Sequence, residues 1–382
     1  MSQPTAPGAA PPKGTPGGEG PSGWRSLLPD RATLARVALA FLIGSIGAVV
    51  FYWIRFPLPI FLGALTFCLI ASVLDAPLAR PTALSIPMRT VLGVTIGSAF
   101  TPALMGRIPD MAASLAFVLP YTVLLVLLGI WFFERFARFD RPTAFFASVP
   151  GGLTDMVSLA AESGANQRAV TLIHATRIVM IVFLVPAWLA WHDGIAAGGR
   201  IANVIHIWEM RPLDAVMLIA LAWAGYRLAA RIGLAGAPLV GPMLLSGIVH
   251  AAGLTTAKVP SEVLILAQVT LGVLLGCQFR GLTWREVSNY LVWGVAFSAV
   301  LVLLTIVVTL GIARLTGLPS VSIMLAFAPG GQNELNLLAL VLGLDVAFVA
   351  LHHLVRLAVV FAGVQIVLKT TPALRQPPRP PD

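Results

Sequence analysis

Long runs of apolar residues, separated by short polar segments, dominate this chain. Runs of about 20 residues can cross a bilayer as helices and exceed the roughly 9–11 residues of a membrane-spanning β-strand. The pattern therefore predicts an all-α, polytopic membrane protein. The candidate spans are 36–54, 57–74, 86–106, 112–133, 143–161, 169–190, 215–234, 238–254, 263–280, 289–313, 320–341 and 346–368.

One motif interrupts two of these apolar runs. Residues 149–152 read VPGG and residues 328–331 read APGG, so the two prolines lie 179 positions apart. The same offset relates Gly151 to Gly330, Gly152 to Gly331, Asp155 to Glu334, His174 to His353, and Arg177 to Arg356. So many equal spacings predict an internal duplication, and paired Gly/Pro-interrupted segments indicate a transporter binding site.

The duplication divides the chain into two homologous membrane repeats, at residues 31–191 and 215–369. A more polar linker, 192–214, joins them. Residues 1–30 and 370–382 are rich in proline and polar residues, so we predict disordered tails. We expect about five or six spans with broken helices in each repeat.

The distribution of arginine suggests how the repeats are oriented. In the first repeat the basic loops follow the second and fourth spans, and they contain Arg80, Arg89, Arg135, Arg138 and Arg141. In the second repeat the bias moves to the first and third loops, with Arg227, Arg231, Arg280 and Arg285. This reversal predicts an inverted repeat. Inversion requires an odd number of crossings per half, so one short segment in each half (57–74 and 238–254 are candidates) would be re-entrant.

The doubled motif predicts a site for a small molecule or an ion at membrane depth. Proline removes a backbone donor and the glycines loosen the helix, so a new helix starts inside the membrane with free N–H groups. Such a positive helix end can hold an anion, and the residues after the break are polar. The predicted site residues here are Pro150, Gly151, Gly152, Thr154, Asp155, Pro329, Gly330, Gly331, Gln332, Asn333, Glu334 and Asn336.

The span after each break adds a histidine and an arginine, at His174 and Arg177 and again at His353 and Arg356. Residues three apart share one helix face. Charges at this depth are costly and equal in number here, which predicts ion pairs, either between repeats (Asp155 with Arg356, Glu334 with Arg177) or within each repeat. Histidine near a carboxylate suits proton coupling. A purely structural role, as a helix kink held by buried pairs, is the alternative.

Composition narrows the class of protein. The chain is 58% hydrophobic and 11% charged, which leaves too little polar surface for a soluble protein of 382 residues. The net charge of +9 is spread over short loops, as the positive-inside rule describes, and favours lipid over nucleic acid as the partner. A homo-oligomer is compatible with these features. No ligand pattern for a metal or cofactor is evident.

The doubled pattern of PGG, acid, histidine and arginine resembles the bacterial AbrB-type family of duplicated membrane proteins, over roughly residues 35–370. Members of that family are described as regulators of gene expression or as ammonia monooxygenases. More distantly, the pattern is similar to inverted-repeat secondary transporters, which implies transport. A copper or iron oxygenase needs a cluster of histidine or carboxylate ligands, and this chain has six histidines without such spacing.

We therefore expect an integral protein of the bacterial inner membrane, and not an enzyme. It would act as a permease for a small polar or anionic metabolite, coupled to protons and with indirect effects on gene expression. A membrane sensor that binds a ligand without moving it is the first alternative. A membrane monooxygenase is the second.

Overall fold

The computed structural model describes residues 30–56, 58–106, 108–192, 205–279 and 284–371. All regular secondary structure in these ranges is helical, which confirms the predicted all-α class. The predicted tails, apart from Asp30, Thr370 and Thr371, lie outside the described residues, as does most of the linker.

The α-helices of the described ranges are α1 (Arg31–Trp53), α2 (Pro59–Val73), α3 (Thr82–Gly97), α4 (Pro102–Met105), α5 (Ile108–Ala116), α6 (Val118–Phe132), α7 (Arg141–Ser148), α8 (Leu153–Glu162), α9 (Gln167–His192), α10 (Pro212–Arg231), α11 (Ala237–Ala251), α12 (Ser261–Gly276), α13 (Trp284–Thr316), α14 (Ser320–Phe327), α15 (Gln332–Val341) and α16 (Val346–Thr370). A π-helical turn (Phe133–Ala137) extends α6, and 3₁₀ turns lie at Ile207–Glu209 and Cys277–Phe279. Seven segments of this part of the chain are long and apolar enough to cross a membrane, so the protein is multi-pass. They lie in α1, α5 with α6, α9, α10, α12, α13 and α16.

Helix boundaries follow the same offset as the sequence motif. Helix α3 begins at Thr82 and α12 begins at Ser261, which is 179 residues later, and the two helices also end 179 residues apart. The pairs α7 with α14 and α8 with α15 show that offset at both ends. The duplicated sequence therefore folds into duplicated elements.

The short helices α2 and α11 are crossings. Helix α2 runs antiparallel to α1, because the Cys68 thiol bonds the Ala40 carbonyl at 3.3 Å and the Ala79 N–H bonds the Arg36 carbonyl at 3.3 Å. Helix α11 likewise packs along both α10 and α3. The prediction that residues 57–74 and 238–254 are re-entrant is therefore wrong.

The re-entrant segments are instead the two interrupted runs. The Asn166 N–H, just before α9, bonds the Thr143 hydroxyl in the first turn of α7 at 2.9 Å. Farther along, His174 and Arg177 of α9 reach carbonyl groups 28 residues earlier, at Phe146 and Val149. Helices α7 and α9 thus begin at the same face and run parallel, so α8 must return to that face.

The second interrupted run has the same form. His353 and Arg356 of α16 reach Leu325 and Ala328 of the preceding half-helix, again 28 residues earlier. We call the segment 141–162 hairpin one and the segment 320–341 hairpin two. Reading 143–161 and 320–341 as crossing spans is therefore incorrect, because hydrogen bonds to the next helix fold each segment back.

The hairpins enter from opposite faces of the bundle. A cavity of about 290 Å³ is lined by the last turn of α3, the first turn of α12, the end of α15 and the start of α16. We call this end of the bundle the cavity face, and hairpin two enters from it. At the other face, Phe279 after α12 packs with Leu172 of α9 and lies near Tyr290 of α13, where hairpin one enters.

Glycines allow the central helices to pack closely. A Cβ on Gly97 of α3 would lie 2.6 Å from the Met243 carbonyl oxygen of α11, and a Cβ on Gly276 of α12 would lie 2.6 Å from the Leu65 carbonyl oxygen of α2. Each repeat thus supplies one helix to a contact with the other repeat, as expected for small residues at membrane helix interfaces.

Candidate functional site

The tip of each hairpin is a PGG segment with nearly the same backbone. Val149 has φ −63° and ψ 125°, and Ala328 has φ −53° and ψ 127°. The N-cap glycines of the resumed helices also match, with φ −63° and ψ 132° at Gly152 and φ −70° and ψ 134° at Gly331. The extended residue at each break follows from the proline after it, since the residue before a proline is disfavoured in the helical region.

The spacing of histidine and arginine is the same in both repeats, and it has a direct structural cause. Helix α7 ends early, so its last carbonyl groups lose their helical donors. Nε2 of His174 lies 2.8 Å from the Phe146 oxygen, and the Arg177 guanidinium donates to the Val149 oxygen at 3.4 Å. In hairpin two, His353 bonds Leu325 at 3.1 Å and Arg356 bonds Ala328 at 2.7 Å.

These contacts revise the predicted ion pairs. Within the described residues, neither Asp155 nor Glu334 lies within ion-pairing distance of Arg177 or Arg356. The two buried arginines instead neutralise the negative ends of the first half-helices, where positive charge is favourable. They therefore hold the hairpins in place and do not pair with the carboxylates. Proton coupling through His174 and His353 stays a prediction, since both rings bond the hairpins.

Each carboxylate folds back on the start of its own helix. Asp155 and Glu334 both occupy the third position of a resumed helix, beside its N-cap glycine. A Cβ on Gly152 would lie 2.6 Å from the Asp155 carboxylate, and one on Gly331 would overlap the Glu334 carboxylate. The second glycine of the motif thus leaves room for this acid. The helix N-termini, predicted to hold an anion, already have a carboxylate of the chain beside them.

Hairpin two has a polar tip, and several of its polar groups lack partners. Gln332 Nε2, Asn333 Oδ1 and both amide atoms of Asn336 are buried without a hydrogen-bond partner. Asn336 is 0% exposed. Such groups normally find partners, because each unsatisfied one costs about 1–3 kcal/mol. A ligand or water that bonds these amides would remove that cost.

Hairpin one differs at the same positions. Leu153 and Val157 stand where hairpin two has Gln332 and Asn336, while Thr154 lies in the first turn of α8. The two tips therefore share a backbone and an acid but not their amide groups. Among the predicted site residues, the proline, glycine, histidine and arginine residues shape the hairpins, the two acids lie beside the N-cap glycines, and the amides of hairpin two include buried atoms without a protein partner.

Two further polar residues of the central helices, Arg89 and Gln268, were not among the predicted site residues. Arg89 lies in the middle of α3, not in a loop as predicted, and it interacts electrostatically with both Asp155 and Glu334. Its equivalent in α12, 179 residues later, is Gln268, which is 2% exposed. Arg89 Nε and Gln268 Nε2 are both buried without a partner. A charged residue inside a 16-residue apolar helix was the signal for Arg89.

Among the described residues, no three His, Cys, Asp or Glu side chains come together as a group that could hold a metal ion.

Comparison with known proteins assigns the chain to a family. The family model described as "Transition state regulatory protein AbrB" matches residues 60–371. The chain belongs to the AbrB family. Both hairpins and the helices α3 to α16 lie within the matched region, which agrees with the resemblance drawn from the doubled motif.

Two relatives of this AbrB family member come from well-known bacteria. The "Uncharacterized protein YhjN" of Bacillus subtilis (strain 168) is 28% identical over 285 residues, covering 71% of this chain and 74% of the relative. The "Putative regulator AbrB" of Escherichia coli (strain K12) is 21% identical over 317 residues, covering 83% of this chain and 90% of the relative.

Proposed function

We propose that this protein is a secondary transporter of the bacterial inner membrane that moves a small polar or anionic metabolite. Non-helical backbone at membrane depth is tolerated where it is buried in protein or lines a wet cavity. Two such segments enter the bundle from opposite faces. In this arrangement a central site can be exposed first to one side of the membrane and then to the other.

The directions of the helices support an inverted repeat. The end of α3 and the start of its equivalent α12 line the same cavity, and the two helices pack together, so they run in opposite directions. Among the described residues, each half has five crossings and one hairpin: α1, α2, α3, α5 with α6, and α9 in the first, and α10 to α13 with α16 in the second. An odd number of crossings in each half agrees with an inverted second half.

Our assignment of the binding site rests on one observation. Asn336 is fully buried near the tip of a re-entrant hairpin, and neither its donor nor its acceptor is used by the protein. A side chain kept only for packing at this position would be apolar, as Val157 is in hairpin one. We assign Asn336, with Gln332 and Asn333, to contact with the solute.

The charged groups supply the coupling in this proposal. Asp155 and Glu334 share Arg89 as a positive neighbour, since Arg177 and Arg356 bond carbonyl groups. The two carboxylates carry two negative charges, and the one shared arginine balances only one of them. The site can therefore accept an additional positive charge. We propose that a proton or another small cation occupies this position during transport.

The test is uptake by purified protein in liposomes, with a panel of radiolabelled small carboxylates, amino acids and amides and an imposed pH gradient. Asn336→Leu is expected to abolish uptake while the protein stays folded, and the matched variant Val157→Leu is expected to retain it. The double variant Asp155→Asn/Glu334→Gln is expected to uncouple uptake from the pH gradient. Proton flux unchanged in that folded double variant would contradict the coupling role.

A membrane sensor is the second candidate, because the Escherichia coli relative is named a regulator and the family description is also regulatory. A sensor would use the same amides to bind a solute but would not move it. Saturable binding that is lost in Asn336→Leu, together with no uptake by the unmodified protein, would favour the sensor.

A further inference from the structure

The cavity of about 290 Å³ has no role in the site as described above. Among the described residues its lining includes Thr95 of α3, Ser98 just after it, Ser261 and Leu264 of α12, and Leu340 of α15. A volume of this size lies at the lower end of the range for small-molecule pockets. The cavity is therefore large enough for a small metabolite.

The lining faces of α12 and α15 lead inward to unpartnered amides. Residues four apart in a helix lie on one face, about one turn from each other. Gln268 lies one turn deeper than Leu264 on α12, and Asn336 lies one turn deeper than Leu340 on α15. Both amides are at most 2% exposed and have unpartnered polar atoms. Two different helices thus each place a buried, unpartnered amide one turn deeper than a residue that lines the cavity.

The charge at the cavity indicates what enters it. Lys258 is the charged residue of the described cavity lining. Glu262, one residue after the lining residue Ser261, is paired with His206 of the linker at 2.7 Å. An opposite charge in a concave, low-dielectric opening raises the local concentration of a charged solute.

We propose that this cavity is the entry vestibule at the cavity face, and that Gln268 and Asn336 form a polar subsite for a small anionic solute at its inner end. Amide donors fit carboxylate or phosphate oxygens, and the amide acceptor fits a hydroxyl or amine of the same solute. This subsite has no twin in the other repeat, where Arg89 and Val157 stand at the equivalent positions. The solute class rests on the proposed transport function, whereas the vestibule itself does not.

Accessibility of single cysteines tests the vestibule. The native Cys68 and Cys277 are buried and are replaced by alanine. Single cysteines then replace Leu264, Leu340, Gln268 and Asn336. The protein is reconstituted with known sidedness and exposed to two membrane-impermeant methanethiosulfonate reagents, the anionic sulfonatoethyl and the cationic trimethylammonium-ethyl compound. Rates are divided by those of a free thiol in solution, and size-exclusion profiles check folding.

We expect all four positions to be modified from the cavity face, with the deeper pair slower. Val157→Cys, at the position in hairpin one equivalent to Asn336, is the matched control and is expected to stay unmodified from that face. The anionic reagent is expected to be favoured by about fivefold at Leu264→Cys, and Lys258→Gln is expected to remove that preference.

Several outcomes overturn the proposal. No reaction at Leu264→Cys from either face would mean that the cavity is closed. Reaction at Leu264→Cys without reaction at Gln268→Cys and Asn336→Cys would mean a blind pocket with no subsite. If the anionic reagent is not preferred over the cationic one, the proposal that the solute is an anion is wrong. Labelling as expected, with no uptake of any anion, would retain the vestibule and refute the transport function instead.

Discussion

The two hairpins share one backbone arrangement but differ in the side chains at their tips. Each has a half-helix, a PGG tip and a resumed helix, held by a histidine and an arginine from the next helix. At the tip, hairpin one has Leu153 and Val157 where hairpin two has Gln332 and Asn336. The shared residues bond the freed carbonyl groups, whereas the amides that occur only in hairpin two have no protein partner for several of their buried atoms. Comparison of the repeats therefore separates residues that build the hairpins from residues that we propose contact a solute.

The same contrast holds for the scaffold around the tips. Glycine contacts between α3 and α11 are repeated between α12 and α2. The pair Arg89 and Gln268, in contrast, breaks the repeat within α3 and α12. Proteins keep locally unfavourable groups mainly at functional sites, so this break in symmetry agrees with the proposed site.

The largest expected effect concerns the symmetric scaffold. Gly97→Leu and Gly276→Leu each force a side chain into a backbone carbonyl of the facing helix, so each should destabilise the protein by about 3 kcal/mol. Unfolding by denaturing detergent, followed by circular dichroism, measures both. A large loss in one variant and none in the other would show that the two interfaces are not equivalent.

Replacement of the two arginines that hold the hairpins should have effects on stability that are moderate and unequal. Arg356→Met removes a charged hydrogen bond of 2.7 Å to the tip of hairpin two and should cost about 2–3 kcal/mol. Arg177→Met removes a longer bond of 3.4 Å and should cost less, about 1.5 kcal/mol. The same unfolding assay ranks them. Equal stability of both variants and the unmodified protein would mean that the arginines do not hold the hairpins.

Exchange of the equivalent residues between the two hairpin tips should change the stability of the protein in opposite directions. Asn336→Leu replaces an unpartnered amide by an apolar group and should stabilise the protein by about 1–2 kcal/mol. Val157→Asn buries an amide in an apolar setting and should destabilise it by a similar amount. If Asn336→Leu is strongly destabilising in a ligand-free preparation, the amide has a structural partner and the comparison fails.

The smallest effects belong to the helix caps that precede α9 and α16. Asn166 accepts the Ala169 N–H at 3.0 Å, and its equivalent Asp345 accepts the Phe348 N–H at 3.0 Å. Replacement of either by alanine should cost about 1 kcal/mol, and nearly the same in both repeats. Differential scanning calorimetry of the two variants checks this equality.

Much of the fold follows from the sequence because its signals are local. Apolar runs mark the helices within a few residues, and the fixed offset between the motifs at residues 149–152 and 328–331 predicts the duplication. The motif also predicts where the chain breaks. Direction after the break is a different matter, because it depends on which distant groups receive the freed carbonyls. His174 and Arg177 decide it, and their contact with α7 is not readable from spacing.

The site was predicted in part for the same reason. Asp155 and Glu334 look like partners of Arg177 and Arg356 when charges are counted along the sequence. In the folded chain the arginines bond carbonyl groups, and both acids interact electrostatically with Arg89 of α3. The repeat offset could have indicated Gln268 once Arg89 was recognised as a buried charge, since the two residues are equivalent positions.

A structure of the protein in lipid nanodiscs, at a resolution that places ordered water, would show whether the Asn336 amide is kept for a ligand. We expect density for water or a solute within about 3 Å of that amide, on the side that faces the cavity of α3, α12 and α15. An Asn336 side chain that bonds a protein carbonyl or hydroxyl, with no other density beside it, would mean that the amide has a structural role and that no solute binds there.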